Sequence, residues 1–282
     1  MTFNCYSYFC QSFQFFYIFI TRHRDWSNQL LFVPSAVSDR HDRKEEKSPM
    51  STINKPKNRL LAALPAEEYA RMFPQLEAAA LIYAEIIYEP DDMIRRVYFP
   101  ESGIISLLSS VGESSLLEVG IVGNEGFVGL PVFLGVKTSN NRALVQGAGA
   151  ALSMKTADFL AECKTGGALP RLLQRYTHSL MTQISQSAAC NRFHPIEARL
   201  ARWLLMTADR MAANEFQITQ DFLSNMLGVR REAVNKSATV FQQNGLIKYI
   251  RGKITILDRA ALETAACRCY FIIREEYGNV SA

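Results

Sequence analysis

Residues 216–257 constrain the fold most, because two short helical patterns, a glycine between them and a two-stranded pattern follow one another there without a gap. Thr219 is placed to cap a helix whose Phe222, Leu223, Met226 and Leu227 form an apolar face. Gly228 then stands where two helices would turn sharply. A second helix over residues 230–243 buries Ala233, Val234, Ser237 and Phe241 on one side. With the helical period, Arg231, Glu232, Asn235 and Lys236 fall on the other. Asn244-Gly245 supplies a left-handed helix stop. The β-prone runs 246–250 and 253–257 around Arg251-Gly252 predict a hairpin.

Charge singles out the same segment. From Gly228 to Lys253 the basic residues Arg230, Arg231, Lys236, Lys248, Arg251 and Lys253 face Glu232 alone, an excess larger than the net charge of +4 carried by the whole chain. A solvated helix face with no partner usually mixes both signs. A one-signed cluster suits phosphate neutralisation, in which each Lys or Arg that meets a phosphate releases condensed counterions.

Upstream the rhythm differs. Over residues 82–156 the runs Val97-Tyr98-Phe99, Ile104-Ile105-Ser106-Leu107-Leu108, Leu116-Leu117-Glu118-Val119 and Ala143-Leu144-Val145-Gln146 are separated by Gly, Pro, Ser and Asn. Short strands with turn signals between them predict a small antiparallel jelly roll. After Gly166-Gly167 the pattern turns helical, with Leu173, Thr177, Leu180, Ile184 and Ser187 on one stripe at alternating spacings of four and three. A helix over residues 169–192 would be roughly 36 Å long, more than a small roll needs for cover, which points to a partner helix, with packing wholly on its own sheet as the alternative.

Composition narrows the class further. A chain of 282 residues, 48% hydrophobic and 21% charged, has the mixture of a globular protein of about two domains. Cys5, Cys10, Cys163, Cys190, Cys267 and Cys269 form no CxxC pair, and His23, His41, His178 and His194 are scattered, so no metal site is read and the cofactor expectation is none. Cys163 and Cys190 are read as packing residues; Cys267 and Cys269 are left without a role. No nucleophile triad, motif of paired carboxylates or phosphate loop is written, so an enzyme is not expected.

Residues 1–21 are aromatic and uncharged, but Arg22-His23-Arg24 follows the apolar stretch instead of preceding it, unlike a secretory signal. Asn4, Ser7, Gln11, Ser12 and Gln14 dilute it as a membrane span. Met50 opens a segment that reads like an ordinary start, so residues 1–49 are expected to be a poorly ordered extension or an upstream start, with a membrane anchor as the alternative.

The segment Gly228-Val229-Arg230-Arg231-Glu232-Ala233-Val234, with Gly245-Leu246-Ile247 and Arg251-Gly252-Lys253-Ile254 after it, resembles the C-terminal module of the Crp/Fnr superfamily of bacterial transcription regulators. The resemblance spans residues 58–277 and implies an α+β protein: an N-terminal antiparallel β jelly roll of the cyclic-nucleotide-binding type, a long dimerisation helix and a C-terminal winged helix-turn-helix domain. The expected division is 1–57 extension, 58–167 sensor, 168–194 dimerisation helix and 195–282 DNA-binding domain.

The same resemblance implies roles. Arg231 and Glu232, with Asn235 and Lys236, stand at base-reading positions, and Thr219, Arg230, Lys248, Arg251 and Lys253 at phosphate contacts. The implied partners are double-stranded DNA, a second copy of the chain and RNA polymerase, in the cytoplasm. In nucleotide-binding members a Gly-Glu pair and an Arg-Ser pair hold the ribose and the cyclic phosphate. Here Gly129 is followed by Leu130, and Asn141-Arg142 occupies the second place, with Ser185 of the long helix as the remaining pocket residue. Leu130 cannot accept a ribose hydrogen bond, and a one-residue offset on a strand would turn Arg142 to the opposite face. Control by cyclic AMP is therefore not expected and the effector is left unassigned. A cyclic-nucleotide-responsive regulator, or the regulatory module of a membrane-anchored protein, is the alternative. An iron–sulfur version would need four thiolates around one cluster, for which Cys5 and Cys10 have the wrong spacing.

Overall fold

The computed structural model describes residues 55–111 and 115–280; residues 1–54 of the expected N-terminal extension lie outside them. Among the described residues no helix is long and apolar enough to cross a membrane. Two short helices come first. In α1 (Arg59–Ala62) the Asn58 side chain accepts from the Leu61 amide, and α2 (Ala66–Met72) starts behind Pro65. An antiparallel sheet follows, built from β1 (Glu77–Leu81), β2 (Ile86–Tyr88), β3 (Arg96–Val111), β4 (Ser115–Val122) and β5 (Asn141–Lys155), with the short α3 (Leu130–Phe133) between the last two. β3 pairs with both β4 and β5, while β1 and β2 pair with β5.

The sheet departs from the expected runs in two ways. Val97–Phe99 and Ile104–Leu108 are not separate strands but parts of β3, whose register against β5 shifts between Pro100 and Ile105. Such bulges bend a strand without ending it, and Gly103, at φ +83°, permits the bend because a Cβ there would meet the Gly147 carbonyl oxygen. The sheet also starts at Glu77, earlier than residue 82, because β1 is rich in alanine and carries no β-branched signal.

Helices close the roll. After α4 (Thr156–Lys164) comes α5 (Ala168–Phe193), the expected long helix with one more residue at each end. Phe99, Phe127, Phe159 and Tyr176 stack between sheet, α4 and α5, with adjacent ring centroids 5.5–6.3 Å apart. Gly126 lies under this stack, where any Cβ would enter the Tyr176 ring.

The rest of the chain is α6 (Ile196–Met211), β6 (Glu215–Gln217), α7 (Gln220–Leu227), α8 (Arg231–Gln243), β7 (Ile247–Ile250), β8 (Lys253–Ile256), α9 (Arg259–Ala265) and α10 (Arg268–Asn279). The strand order of the small sheet is β6-β8-β7. α6 is buried on nearly every side, from Arg199 to Arg210, as befits a helix packed between the roll and the C-terminal helices. The described residues form one compact unit.

The helical stripe expected to face a partner is turned inward. Leu173, Leu180 and Ser187 are buried within the chain, where α5 packs on β4 and α10, and Thr177 is half-buried. Of the five, Ile184 is exposed, next to Met181, which is 61% exposed. Periodicity identified the stripe but could not say which body it would face.

Candidate nucleic-acid interface

Local rules position the C-terminal site. The Thr219 hydroxyl accepts from the Phe222 amide and caps α7, and Gly228 ends that helix at φ +60° in the left-handed region. Leu223, Met226 and Leu227 of α7 join Val234, Ala238 and Phe241 of α8 in the core. Arg199 of α6 donates from its guanidinium to the Leu227 carbonyl, satisfying a free acceptor at the end of α7. This fixes the turn between the two helices.

α8 leaves Arg231, Glu232, Asn235 and Lys236 exposed on one face. Arg231 and Asn235 are held in a polar lattice with α7. Arg231 Nη1 pairs with Asp221 Oδ1 at 3.2 Å and its Nε donates to Gln220 Oε1 at 3.4 Å, while Gln220 Nε2 donates to Asn235 Oδ1 at 3.1 Å. Gln220 and Asp221 were not singled out in the sequence, although their place in the first turn of α7 beside Thr219 was the available signal. Arg230 is the N-cap of α8 and makes no side-chain cap hydrogen bond.

The wing is a two-residue hairpin in which Ile250 pairs with Lys253. Arg251 and Gly252 both have positive φ, +50° and +78°, the combination whose twist suits a two-residue hairpin. Arg251 and Lys248 are exposed. Lys253 is not free, since its ammonium is 2.5 Å from Glu215 on β6.

Residues 198–265 match the model of the Crp-like helix-turn-helix domain. The chain has the Crp/Fnr regulator fold and carries that helix-turn-helix domain. A Crp/Fnr-family transcriptional regulator from Eubacterium rectale superposes with a TM-score of 0.58 at 19% identity, over 73% of this chain and 96% of the other. The c-di-GMP-responsive global regulator CLP of Xanthomonas campestris gives 0.56 at 16% identity, over 69% and 100%. A CRP-family transcriptional regulator of Thermus thermophilus gives 0.54 at 20%, over 67% and 96%. At these identities the likeness is one of fold. Comparison with curated proteins gave no match.

The residues expected at a Crp/Fnr nucleotide pocket fall on three elements. Leu130 opens α3 behind Gly129, and Asn141 and Arg142 begin β5. Arg142 Nε is 2.7 Å from Glu89 Oε2, so its charge is already matched. Ser185 lies on the exposed face of α5. A different cavity of about 580 Å³ opens between roll and wing, lined by Tyr83, Ile104, Gln146, Met211, Phe216 and Arg251 among others.

Two buried polar clamps join α6 to the roll, and neither was legible in the sequence. In the first, Arg210 Nε meets Glu125 Oε1 at 2.7 Å, its Nη2 donates to Gln183 of α5 at 3.1 Å, and its guanidinium lies 4.8 Å from the Tyr277 ring centroid on α10. In the second, Trp203 Nε1 donates to Glu118 Oε1 at 2.8 Å, and the Ser106 hydroxyl is 2.7 Å from Glu118 Oε2. Ser106 also faces Gln146 Oε1, so its single proton confronts two acceptors. Burial pushes the Glu118 carboxyl up from 4.5 to about 7, against the opposing pull of Ser106, Trp203 and the nearby arginines.

A carboxyl raised in the folded state stabilises the fold fully below its unfolded value and loses that contribution as the pH rises through the folded one. For Glu118 the window runs from 4.5 to about 7. Between pH 5 and 8 the protein should therefore lose stability on the order of 2–3 kcal/mol from this group. Glu118→Gln, which keeps an acceptor for Trp203, should flatten that slope in urea unfolding followed across the range. An unchanged slope would assign the carboxyl an ordinary titration.

The cysteines require a correction. The sequence predicts no metal site, and Cys190 is fully buried as a packing residue would be, yet Cys190, His194, Cys267 and Cys269 converge with all their ligand atoms within 4.8 Å of one another. The pair Cys190 and His194 lies too far along the chain from the pair Cys267 and Cys269 for any spacing rule to connect them. His178, by contrast, is an exposed surface residue 3.5 Å from Glu276.

Proposed function

We propose that this chain is a sequence-specific DNA-binding transcription regulator of the Crp/Fnr type, which binds near-palindromic sites as a homodimer and is not controlled by cyclic AMP. The observation that carries the reading is the exposed face of α8, with Arg231, Glu232, Asn235 and Lys236 presented together behind the capped turn at Gly228. In this architecture the front of the second helix enters the major groove. Arg231 is suited to a bidentate contact with guanine and Glu232 to accepting from cytosine. Arg230, Lys248, Arg251, Lys253 and Thr219 would hold phosphates, Lys253 after leaving Glu215. Thr219 would contribute at the exposed start of α7.

The homodimer is supported by Met181 and Ile184, which stand exposed on α5. Two copies would set their recognition helices about one DNA turn apart, roughly 34 Å. Independence from cyclic AMP is supported by the Leu130 side chain and by the Arg142–Glu89 ion pair. A site in the cytoplasm and contact with RNA polymerase complete the reading, the second as the ordinary means by which such a regulator acts.

Competition binding with a randomised half-site, at two salt concentrations, tests this function. Arg231→Ala should cost on the order of 1–3 kcal/mol on the selected site and relax the preference at one base pair of each half-site. Arg251→Ala should weaken selected and random DNA equally and lower the salt slope by about one for each phosphate no longer held. Added cyclic AMP should leave the curves unchanged. Salt-dependent binding with no sequence selection would overturn the proposal, as would a change of preference in Arg251→Ala alone.

A further inference from the structure

The end of the long helix and the start of the last one meet at four metal-ligating side chains. Cys190 lies in the last turn of α5, and His194 is its C-cap four residues on, which sets both on one side. Cys267 is the N-cap of α10, and Cys269 lies in its first turn. Cys190 Sγ and Cys267 Sγ are 3.4 Å apart, and Cys269 Sγ is 3.6 Å from His194 Nδ1. All three cysteines are buried and His194 is half-buried.

We infer that Cys190, His194, Cys267 and Cys269 form a Cys3His site for a single zinc ion. In tetrahedral zinc sites the Zn–S and Zn–N bonds are about 2.3 and 2.0 Å, which spaces the donor atoms roughly 3.5–3.8 Å from one another. The 3.6 Å distance falls within that spacing and the 3.4 Å distance just below it, and no pair of ligand atoms exceeds 4.8 Å. A disulfide would draw only two sulfurs to about 2.05 Å and leave the third thiol and the imidazole unexplained. An iron–sulfur cluster sets several irons and sulfides between its ligands, which needs a wider cage than this one.

The surrounding charge supports the same assignment. Arg199 and Arg202 of α6 are buried, and neither forms an ion pair with a carboxylate among the described residues. Arg202 reaches Ser187 Oγ and Met206 Sδ, its Nε has no hydrogen-bond partner, and the same is true of Arg199 Nε. Both guanidiniums act electrostatically on the cysteines. Buried cations without counter-charge are costly. Three thiolates and a neutral imidazole around Zn²⁺ leave one net negative charge, which two neighbouring guanidiniums offset. The ion would join α5 to α10 beside His194-Pro195, where the chain passes into α6. Because the ligands come from two distant segments, metal binding would favour the folded arrangement directly.

Metal analysis of the full-length protein, purified under reducing conditions, tests the site without reference to DNA. One zinc per chain is expected. Replacement by Co²⁺ should give the intense visible ligand-field bands of a tetrahedral ion together with thiolate-to-cobalt charge transfer in the near ultraviolet. Cys269→Ser and His194→Ala should each weaken zinc retention against a colorimetric chelator at least about tenfold. Cys163→Ser and the double change Cys5→Ser/Cys10→Ser should leave it intact. Because the cobalt spectrum is read on the unaltered chain, a variant that fails to fold does not decide the question. Absence of zinc after anaerobic reconstitution would overturn the inference. So would iron with acid-labile sulfide, an octahedral cobalt spectrum, or loss of the metal only in the Cys5→Ser/Cys10→Ser variant.

Discussion

Glutamate at both Met181 and Ile184 will leave the chain folded but monomeric, and its affinity for a palindromic site will fall by about a thousandfold or more. Both side chains are exposed on α5, 61% and 36% respectively, so their replacement removes little of the chain's own core. In a dimer the same positions would bring four carboxylates together at an apolar seam, which opposes association. A monomer meets only one half-site, and specific binding by such proteins typically exceeds non-specific binding by about 10³-fold or more. Light scattering reports the mass, and fluorescence anisotropy on a selected duplex reports the affinity. A dimer of unchanged stability in the double variant would move the interface off this face of α5.

Arg210→Ala will lower the unfolding free energy by about 3–5 kcal/mol, because it leaves Glu125 buried without its counter-charge. The pair is about 95% shielded from solvent, and Arg210 also holds Gln183 and lies against the Tyr277 ring, so one truncation loosens three elements at once. Replacing both partners by apolar residues of similar volume, Arg210→Met with Glu125→Leu, should recover most of the loss, since no unpaired charge then remains. Urea denaturation of the three proteins gives the comparison. Equal stability of Arg210→Ala and the unaltered chain would show that water reaches the pair. The location of the clamp gives the result a second meaning: it joins α6, on which the helix-turn-helix is built, to the loop after β4 and to α5. Loosening it should therefore also free the helix-turn-helix from the roll.

How far the sequence could be read depends on the distance over which each feature is determined. The helix-turn-helix was legible almost residue by residue. Thr219 caps α7, Gly228 turns it, Val234, Ser237 and Phe241 are buried on α8, and Gly245 has positive φ. Each of these depends on a period or a backbone preference confined to a few neighbouring residues. The long helix was equally plain, because its period needs no partner to be visible. Its orientation was not. Leu173, Leu180 and Ser187 satisfy a dimer seam and an internal packing face equally well, and only the arrival of β4 and α10 selects the second.

What tertiary structure alone decided are the meetings of residues far apart in the chain. Glu118 reads as one polar residue in a β-prone run until Ser106 and Trp203 enclose it and burial raises its carboxyl to about 7. Arg210 has no role in the sequence until Glu125, 85 residues earlier, closes on it in the interior. Cys190 and His194 stand 77 and 75 residues from the cysteines they face, and nothing in either segment anticipates the other. Periodicity and turn chemistry act along the chain and were visible in it. Charge pairing, desolvation and ligand geometry act through space, and they exist only once α5, α6 and α10 have packed together.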